Sequence, residues 1–193
     1  MKYLYYLLNY ILSFFYDIYY FFFGDVRSRI QGLNYYKESK KYPDYLKFGN
    51  MSEVVRGLTD KYCQGNGLDI GAGKWPIKNS RAIENNINEN AYKIIEEDGS
   101  QDFIFSSHSL EHLNEWEKAL DEWHRVLRSG GILFLYIPHE ICSMWRVGVN
   151  KQHIWAPSTL VVESFLKNKL NMNIEKVTYL PDSFLGFLII AKK

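Results

Sequence analysis

A short apolar run that ends in two glycines is the feature of this sequence that most constrains its fold. Residues 67–73 read Gly-Leu-Asp-Ile-Gly-Ala-Gly, which predicts a buried β-strand that breaks into a sharp turn. Glycine at positions 71 and 73 lets a ligand approach the peptide N–H groups without a Cβ atom in the way. The turn alone is weak evidence for a ligand, because similar turns also serve as tight structural connections.

Further buried strands are predicted downstream of this turn. Residues 103–105 and 132–137 are continuous apolar runs, and two more strands are expected near 174–180 and 184–191. Helices between them alternate with the strands and the last two strands look antiparallel, so the sequence predicts an α/β fold with a mostly parallel sheet. Loops at the carboxyl ends of such strands converge on the ligand.

The best-defined helix precedes the strand at 132–137. Asn114 and Glu117 have the spacing of a helix cap, and Trp116, Ala119, Leu120, Trp123, Val126 and Leu127 form one apolar face. The pair Gly130-Gly131 is expected to end this helix. Another helix is expected to open at Pro157.

The first half of the predicted sheet is short of residues. Only 103 − 71 = 32 positions lead from Gly71 to Phe103, whereas two full crossovers with their strands need at least about 34. Residues 76–80, Pro-Ile-Lys-Asn-Ser, are a poor helix sequence. We therefore expect one crossover to be cut down, with a loop in place of the helix after the glycine turn.

Charge and cysteine content exclude several classes of protein. The 193 residues carry 23 Lys and Arg against 22 Asp and Glu, for a net charge of +1, which lacks the basic excess of a nucleic-acid-binding protein. Cys63 and Cys142 show no metal-ligand spacing and are too few for a disulfide framework. Free thiols in a reducing cytoplasm are expected.

The composition divides the chain into three segments. Residues 1–24 are crowded with Tyr and Phe and predict an amphipathic helix that lies on a membrane, since Asn9 and Asp17 would be costly at membrane depth. Packing of its apolar face on the domain or on a second copy, and a true membrane span, are the alternatives. Residues 25–50 form a charged connector. Residues 51–193 carry the domain, with the oligomeric state left open.

Three stretches of this sequence resemble the small "type 11" methyltransferases that use S-adenosylmethionine. They are LDIGAGKWP, DFIFSSHSLEHL and ALDEWHRVLRSGGILFLYIPH, and they occur in the same order as in that family. The similarity covers roughly residues 63–193 and implies a Rossmann-like class I methyltransferase sheet. The dinucleotide alternative needs a third glycine at position 76, where this chain has Pro76, so a nicotinamide cofactor is disfavoured.

The resemblance also implies which residues bind the cofactor. Gly71, Ala72 and Gly73 would line its methionine part, with Asp69 orienting the turn and the cofactor amine. Ser106 and Ser107 would face the sulfonium. The ribose hydroxyls would be bound by Glu84 or Asn86, and the alignment with the family favours Asn86. Trp75 is expected to cover part of the cofactor.

A hydroxyl acceptor gains from a general base, and three histidines are candidates. His139 directly follows the strand at 132–137 and is the first choice, with His108 and His153 as further candidates. The stretch from His108 to His112 resembles the Glu-x-x-Glu-His motif of ubiquinone-pathway O-methyltransferases, which implies a divalent metal. Because histidine replaces the first glutamate, a hard ligand that magnesium prefers is missing, and we expect no metal.

The expected activity is methylation of an oxygen, or less favourably a nitrogen, on a small molecule or glycan. Short members of the family that this chain resembles are often associated with surface-polysaccharide pathways. Two alternatives stay open from the sequence. One is a membrane-tethered interaction module that no longer catalyses, and the other is an NAD-binding oxidoreductase.

Overall fold

A computed structural model describes residue 11 and residues 53–73, 76–140, 152–180 and 186–193. The helix expected over 1–24, the connector 25–50, Trp75 and Cys142 lie outside these ranges. None of the helices in the described part of the chain is long and apolar enough to cross a membrane.

Six strands form one sheet in the order β2-β1-β3-β4-β6-β5. The first four are parallel to one another, and β6 runs antiparallel to both β4 and β5. This arrangement confirms the predicted α/β fold with a closing antiparallel pair. The strands are β1 Gly67–Ile70, β2 Ser80–Ile83, β3 Gln101–Ser107, β4 Leu127–Pro138, β5 Asn173–Val177 and β6 Gly186–Lys192.

Helices cover both faces of the sheet. Helix α1 (Glu53–Tyr62) packs on one face, against side chains such as Phe105 and Phe134. Helices α2 (Trp116–Val126) and α3 (Thr159–Asn168) share a second apolar cluster on the opposite face. The central strands β1, β3 and β4 are therefore buried on both sides, as parallel strands require, and their continuous apolar runs follow from this.

No helix occurs in the described residues of either connection in the first half of the sheet. The connection from β1 to β2 is loop in its described residues, 71–73 and 76–79, as predicted. Residues 84–100, which join β2 to β3, hold only an isolated bridge between Asn90 and Lys93. The shortening is thus greater than the sequence predicted, since only one crossover was expected to be cut down.

Side chains of α2 hold the loop at 84–100 in place. Trp123 Nε1 donates a hydrogen bond to the carbonyl oxygen of Ala91 at 2.9 Å. Arg125 donates to the carbonyl oxygens of Ile94 and Glu96 at 2.8 and 3.0 Å. These hydrogen bonds satisfy backbone groups that a crossover helix would otherwise pair internally.

The ends predicted for α2 are corrected by the structure. The helix begins at Trp116 with Glu115 in the cap position, while Asn114 Oδ1 accepts a hydrogen bond from the Tyr92 hydroxyl at 2.9 Å. The helix ends at Val126, before the two glycines, because the fully buried Leu127 already begins β4 and pairs with Gln101.

Candidate functional site

A cavity of about 380 Å³ lies at the carboxyl ends of β1 and β2. Three segments form its walls: the end of β1 with the glycine turn, the helix-free loop after β2, and the segment after β3. Its lining residues are Ile70, Gly71, Ile83, Glu84, Asn85, Asn90, Ala91, Tyr92, Ser109, His112, Leu113 and Asn114. The location agrees with the general position of ligands on parallel sheets.

The glycine turn has the backbone angles that its sequence predicts. Gly71 and Gly73 have φ values of +78° and +62°, which side chains with a Cβ atom rarely adopt. A Cβ atom at Gly71 would lie 1.9 Å from Ser109 Oγ, whereas one at Gly73 would meet nothing within 4 Å. The space beside Gly71 is therefore filled by the protein itself, and the space beside Gly73 is open.

Glu84 joins the second strand to the glycine turn. It directly follows β2, lines the cavity, and accepts a hydrogen bond on Oε1 from the Gly73 N–H at 2.6 Å. Asn86, which the family alignment favours, instead accepts hydrogen bonds on Oδ1 from the N–H groups of Asn88 and Glu89. The structure thus brings Glu84 to the cavity and uses Asn86 to close a turn.

Asp69 braces the turn from inside the protein. Its side chain is buried, and Oδ2 accepts a hydrogen bond from the Ile77 N–H at 2.9 Å, while Oδ1 has no hydrogen-bond partner among the described residues. Burial, with a smaller contribution from the charge of Glu84, raises the pKa of the Asp69 carboxyl to about 8. The neighbouring Ala72 is fully buried.

The two serines at the end of β3 are buried rather than exposed to the cavity. Ser106 Oγ donates to the carbonyl oxygen of Ile70 at 3.2 Å, and the carbonyl oxygen of Ser107 accepts from Ser109 Oγ at 3.4 Å. Ser106 therefore ties β3 to β1 below the glycine turn. Ser109 lines the cavity in their place.

Three histidines surround a fully buried carboxylate beside the cavity. Glu111 Oε1 lies 3.7 Å from His108 Nδ1 and 3.8 Å from the Nε2 atoms of both His112 and His153. His112 also lines the cavity. Burial raises the pKa of Glu111 to about 8 and lowers the pKa of His108 to about 4. His108 has a φ of +52°, an uncommon angle for a residue other than glycine.

His139 occupies a different environment from this cluster. It directly follows β4, is buried, and its Nε2 lies 3.0 Å from the carbonyl oxygen of Tyr179. A carbonyl oxygen only accepts hydrogen bonds, so Nε2 carries the proton and donates it. The ring also packs edge-on against Phe187. Neither His139 nor His108 is among the residues that line the cavity, but His108 directly precedes the lining residue Ser109.

Several cavity residues were missed by the sequence reasoning. Asn85, Asn90, Tyr92 and Asn114 line the cavity, yet the asparagine-rich loop carries only a general turn signal in the sequence. Ser109 could have been chosen, since it lies inside the stretch DFIFSSHSLEHL. His153 was assigned as a base, but its place beside Glu111 depends on a contact between segments that are distant in sequence.

Residues 48–135 match the family model Methyltransf_11, described as a methyltransferase domain. A similar fold occurs in a possible histamine N-methyltransferase from Thermotoga maritima, with a TM-score of 0.57, 15% identity, and coverage of 83% of this chain and 97% of that one. No curated protein matches the chain significantly in sequence.

Two further structures share the fold. An S-adenosylmethionine-dependent methyltransferase from Archaeoglobus fulgidus has a TM-score of 0.56 and 16% identity, with 77% of this chain and 97% of that chain covered. Another from Aquifex aeolicus has a TM-score of 0.54 and 15% identity, with 80% and 95% covered.

Proposed function

We propose that this chain is a class I S-adenosylmethionine-dependent methyltransferase and that it methylates an oxygen of a small molecule or glycan. The proposal is supported by the match of residues 48–135 to a methyltransferase domain and by the fold shared with S-adenosylmethionine-dependent methyltransferases. A nitrogen acceptor is the less favoured form of the same proposal. The observation that carries the preference for oxygen is the position of His108, a histidine at the end of β3 directly before the cavity residue Ser109.

The cavity fits the cofactor in two respects. Its volume of about 380 Å³ falls in the range of small-molecule sites, about 300–1,000 Å³. A carboxylate at the end of β2, Glu84, lies beside the open glycine Gly73 and suits the ribose hydroxyls as a hydrogen-bond acceptor. We assign Glu84 to the ribose and the turn at 71–73 to the methionine part, while Asp69 and Ser106 position the turn.

When bound, the cofactor supplies a methyl group already activated on a sulfonium. The protein then has to align the acceptor and exclude water. Leu113, Ile70 and Ile83 line the cavity and supply apolar surface for this purpose. No covalent intermediate with a protein side chain is required.

A hydroxyl acceptor must lose a proton as it is methylated. We assign the proton acceptor to Nε2 of His108, because Nδ1 is the ring nitrogen that faces Glu111. His139 was the first choice from the sequence. Its Nε2 instead donates to Tyr179, so we propose that His139 joins the end of β4 to the segment after β5.

Comparing two variants tests this assignment. With a panel of sugars and sugar nucleotides as acceptors, His108→Ala should lower kcat by about 10²–10⁴ while S-adenosylhomocysteine binding stays near wild type. His139→Ala should lower the Tm and change kcat less. A larger loss of kcat in His139→Ala would return the base to His139. If neither purified wild type nor variant methylates any hydroxyl but amines are methylated, the nitrogen form is correct.

We also propose that residues 1–24 bring the enzyme to a membrane surface. The support is the sequence alone, in which Lys2, Asn9 and Asp17 recur with Tyr residues on one side of a helical projection, opposite an apolar face. Deleting residues 1–24 should release the protein from vesicles that contain anionic lipid and spare cofactor binding. Loss of folding in the deletion variant would instead assign this segment to the core.

A further inference from the structure

We propose that Glu111, His112 and His153 bind one divalent transition-metal ion of the zinc type at the edge of the cofactor cavity. One ligand atom from each of the three residues lies within 4.8 Å of the other two. Such an ion would join the segment after β3 to the loop at 152–158. The sequence alone predicted no metal, because histidine replaces the first glutamate of the Glu-x-x-Glu-His motif. It also did not place His153 beside Glu111.

The separations of the ligand atoms suit a small ion. Glu111 Oε1 lies 3.8 Å from both His112 Nε2 and His153 Nε2. Ligands about 2.0–2.2 Å from a tetrahedral zinc ion lie about 3.3–3.6 Å from one another, so Glu111 Oε1 is within a few tenths of an ångström of the required distance from each nitrogen. The two nitrogens lie within 4.8 Å of each other and would have to approach by up to about 1–1.5 Å. Two imidazoles and one carboxylate leave a fourth position, as in other His₂Glu zinc sites.

The carboxylate of Glu111 points to a missing positive charge. Its side chain is 0% exposed, and neither oxygen makes a hydrogen bond to the described residues. A buried carboxylate without such partners costs several kcal/mol. A divalent ion would satisfy these oxygens, whereas an apolar side chain would suffice if the site were only a packing contact.

Hydrogen bonds already orient one ligand. His112 Nδ1 lies 2.8 Å from the carbonyl oxygen of Gln152, and since a carbonyl oxygen only accepts, Nδ1 carries the proton. The lone pair of His112 is therefore on Nε2, the atom that faces Glu111. Metal-binding histidines commonly donate their other ring N–H to a carbonyl or carboxylate in this way.

The two segments that carry the ligands are also joined by backbone contacts. The Ile154 N–H donates to the carbonyl oxygen of Glu111 at 3.2 Å, and Trp155 Nε1 donates to the carbonyl oxygen of Leu110 at 2.8 Å. His153 directly precedes these two residues, and its side chain is only 4% exposed. The site is thus held in place by the surrounding protein.

The donor set favours zinc over magnesium. Imidazole nitrogens suit Zn²⁺, Cu²⁺, Ni²⁺ and Fe²⁺, whereas Mg²⁺ prefers an octahedral shell of oxygens. His108 Nδ1 lies 3.7 Å from Glu111 Oε1 and is not one of the three ligands that we assign. The proposal is independent of whether the acceptor atom is oxygen or nitrogen.

Metal binding by the full chain tests the proposal directly. The protein, with any affinity tag removed, is stripped with a chelator and titrated with Zn²⁺ against a chromophoric competitor. We expect one high-affinity Zn²⁺ per chain and a rise in Tm on binding, with Mg²⁺ giving neither. Co²⁺ should give the visible absorption of a four-coordinate ion.

Three variants and one control separate binding from folding. Glu111→Gln, His153→Gln and His112→Gln should each weaken Zn²⁺ binding at least about 10-fold to 100-fold, and His124→Ala, on α2 away from the site, should not. His112 is 34% exposed, so its variant is the one best able to fold, and a cooperative thermal unfolding transition verifies that it does. Unchanged Zn²⁺ affinity in His112→Gln and His153→Gln, or no binding by wild type, would overturn the site.

Discussion

The hydroxyl of Ser109 occupies the space that a side chain at Gly71 would need. A Cβ atom at Gly71 would lie 1.9 Å from Ser109 Oγ and 2.9 Å from Ser109 Cβ. The glycine turn is therefore packed against the segment after β3 independently of any ligand. Gly71 and Gly73, which look equivalent in the sequence, have different roles.

Replacement of the two glycines should separate these roles. Gly71→Ala should destabilise the protein by more than about 2 kcal/mol, because the clash adds to a positive φ that alone costs about 1–2 kcal/mol. Gly73→Ala has the positive φ without the clash, so it should lower the free energy of unfolding by only about 1–2 kcal/mol. Urea unfolding measures both.

A double variant provides the control for this prediction. Gly71→Ala combined with Ser109→Gly removes the opposing side chain, so the two free-energy changes should be less than additive. Additive changes would mean that Ser109 is not the obstacle. A larger side chain at Gly73 should act mainly on ligand binding. The valine of Gly73→Val would extend into space that no described residue fills, so this variant should weaken S-adenosylhomocysteine binding more than it lowers the free energy of unfolding.

Glu84 and Asn86 give a matched pair for cofactor binding. Glu84→Ala should weaken S-adenosylhomocysteine binding by about 10-fold to 100-fold, the equivalent of about 1.5–3 kcal/mol for charge-assisted hydrogen bonds. Asn86→Ala should lower the Tm, because Asn86 Oδ1 accepts from two backbone N–H groups, and leave affinity nearly unchanged. Calorimetry with S-adenosylhomocysteine measures the affinity of both variants. A greater loss of affinity in Asn86→Ala would instead assign the ribose hydroxyls to Asn86, as the family alignment favours.

The buried carboxyl of Asp69 should make stability depend on pH. Its pKa rises from 3.8 to about 8 on folding, so folding favours the protonated form. The contribution of the Asp69 carboxyl to the free energy of unfolding is complete below about pH 4. This contribution is lost as the pH rises through about 8. Asp69→Asn keeps an oxygen for the Ile77 N–H and should flatten the fall in Tm between about pH 5 and about pH 9. An identical pH profile in the variant would contradict the raised pKa.

Arg125 should contribute more to stability than a surface arginine. It donates to the carbonyl oxygens of Ile94 and Glu96 and to the side chain of Glu122. Arg125→Ala should cost about 1–3 kcal/mol. Arg128, half-exposed and paired with Asp102, is the control and should cost about 0–1 kcal/mol. Equal losses in urea unfolding would mean that the loop at 84–100 is held by other contacts.

The sequence predicts the strands whose apolar runs are buried on both sides, β1, β3 and β4. It does not reveal β2, because Ser80–Ile83 is a short edge strand with one polar, exposed arginine, Arg81, inside it. The residues of the candidate site divide in the same way, into those with a local sequence signal and those placed only by tertiary contacts. Glycines 71 and 73 carry a local signal, whereas the environment of His153 depends on tertiary contacts that no spacing encodes.

The loop that replaces the second crossover helix also forms a wall of the cavity. Tyr92 donates from this loop to Asn114 on the opposite wall at 2.9 Å, and Trp123 holds the neighbouring Ala91. Opening these contacts separates the walls without disrupting any helix or strand. We therefore expect release of a bound product to require a local opening with a lower free energy than global unfolding. Amide hydrogen exchange at 90–95 should then slow when ligand is present.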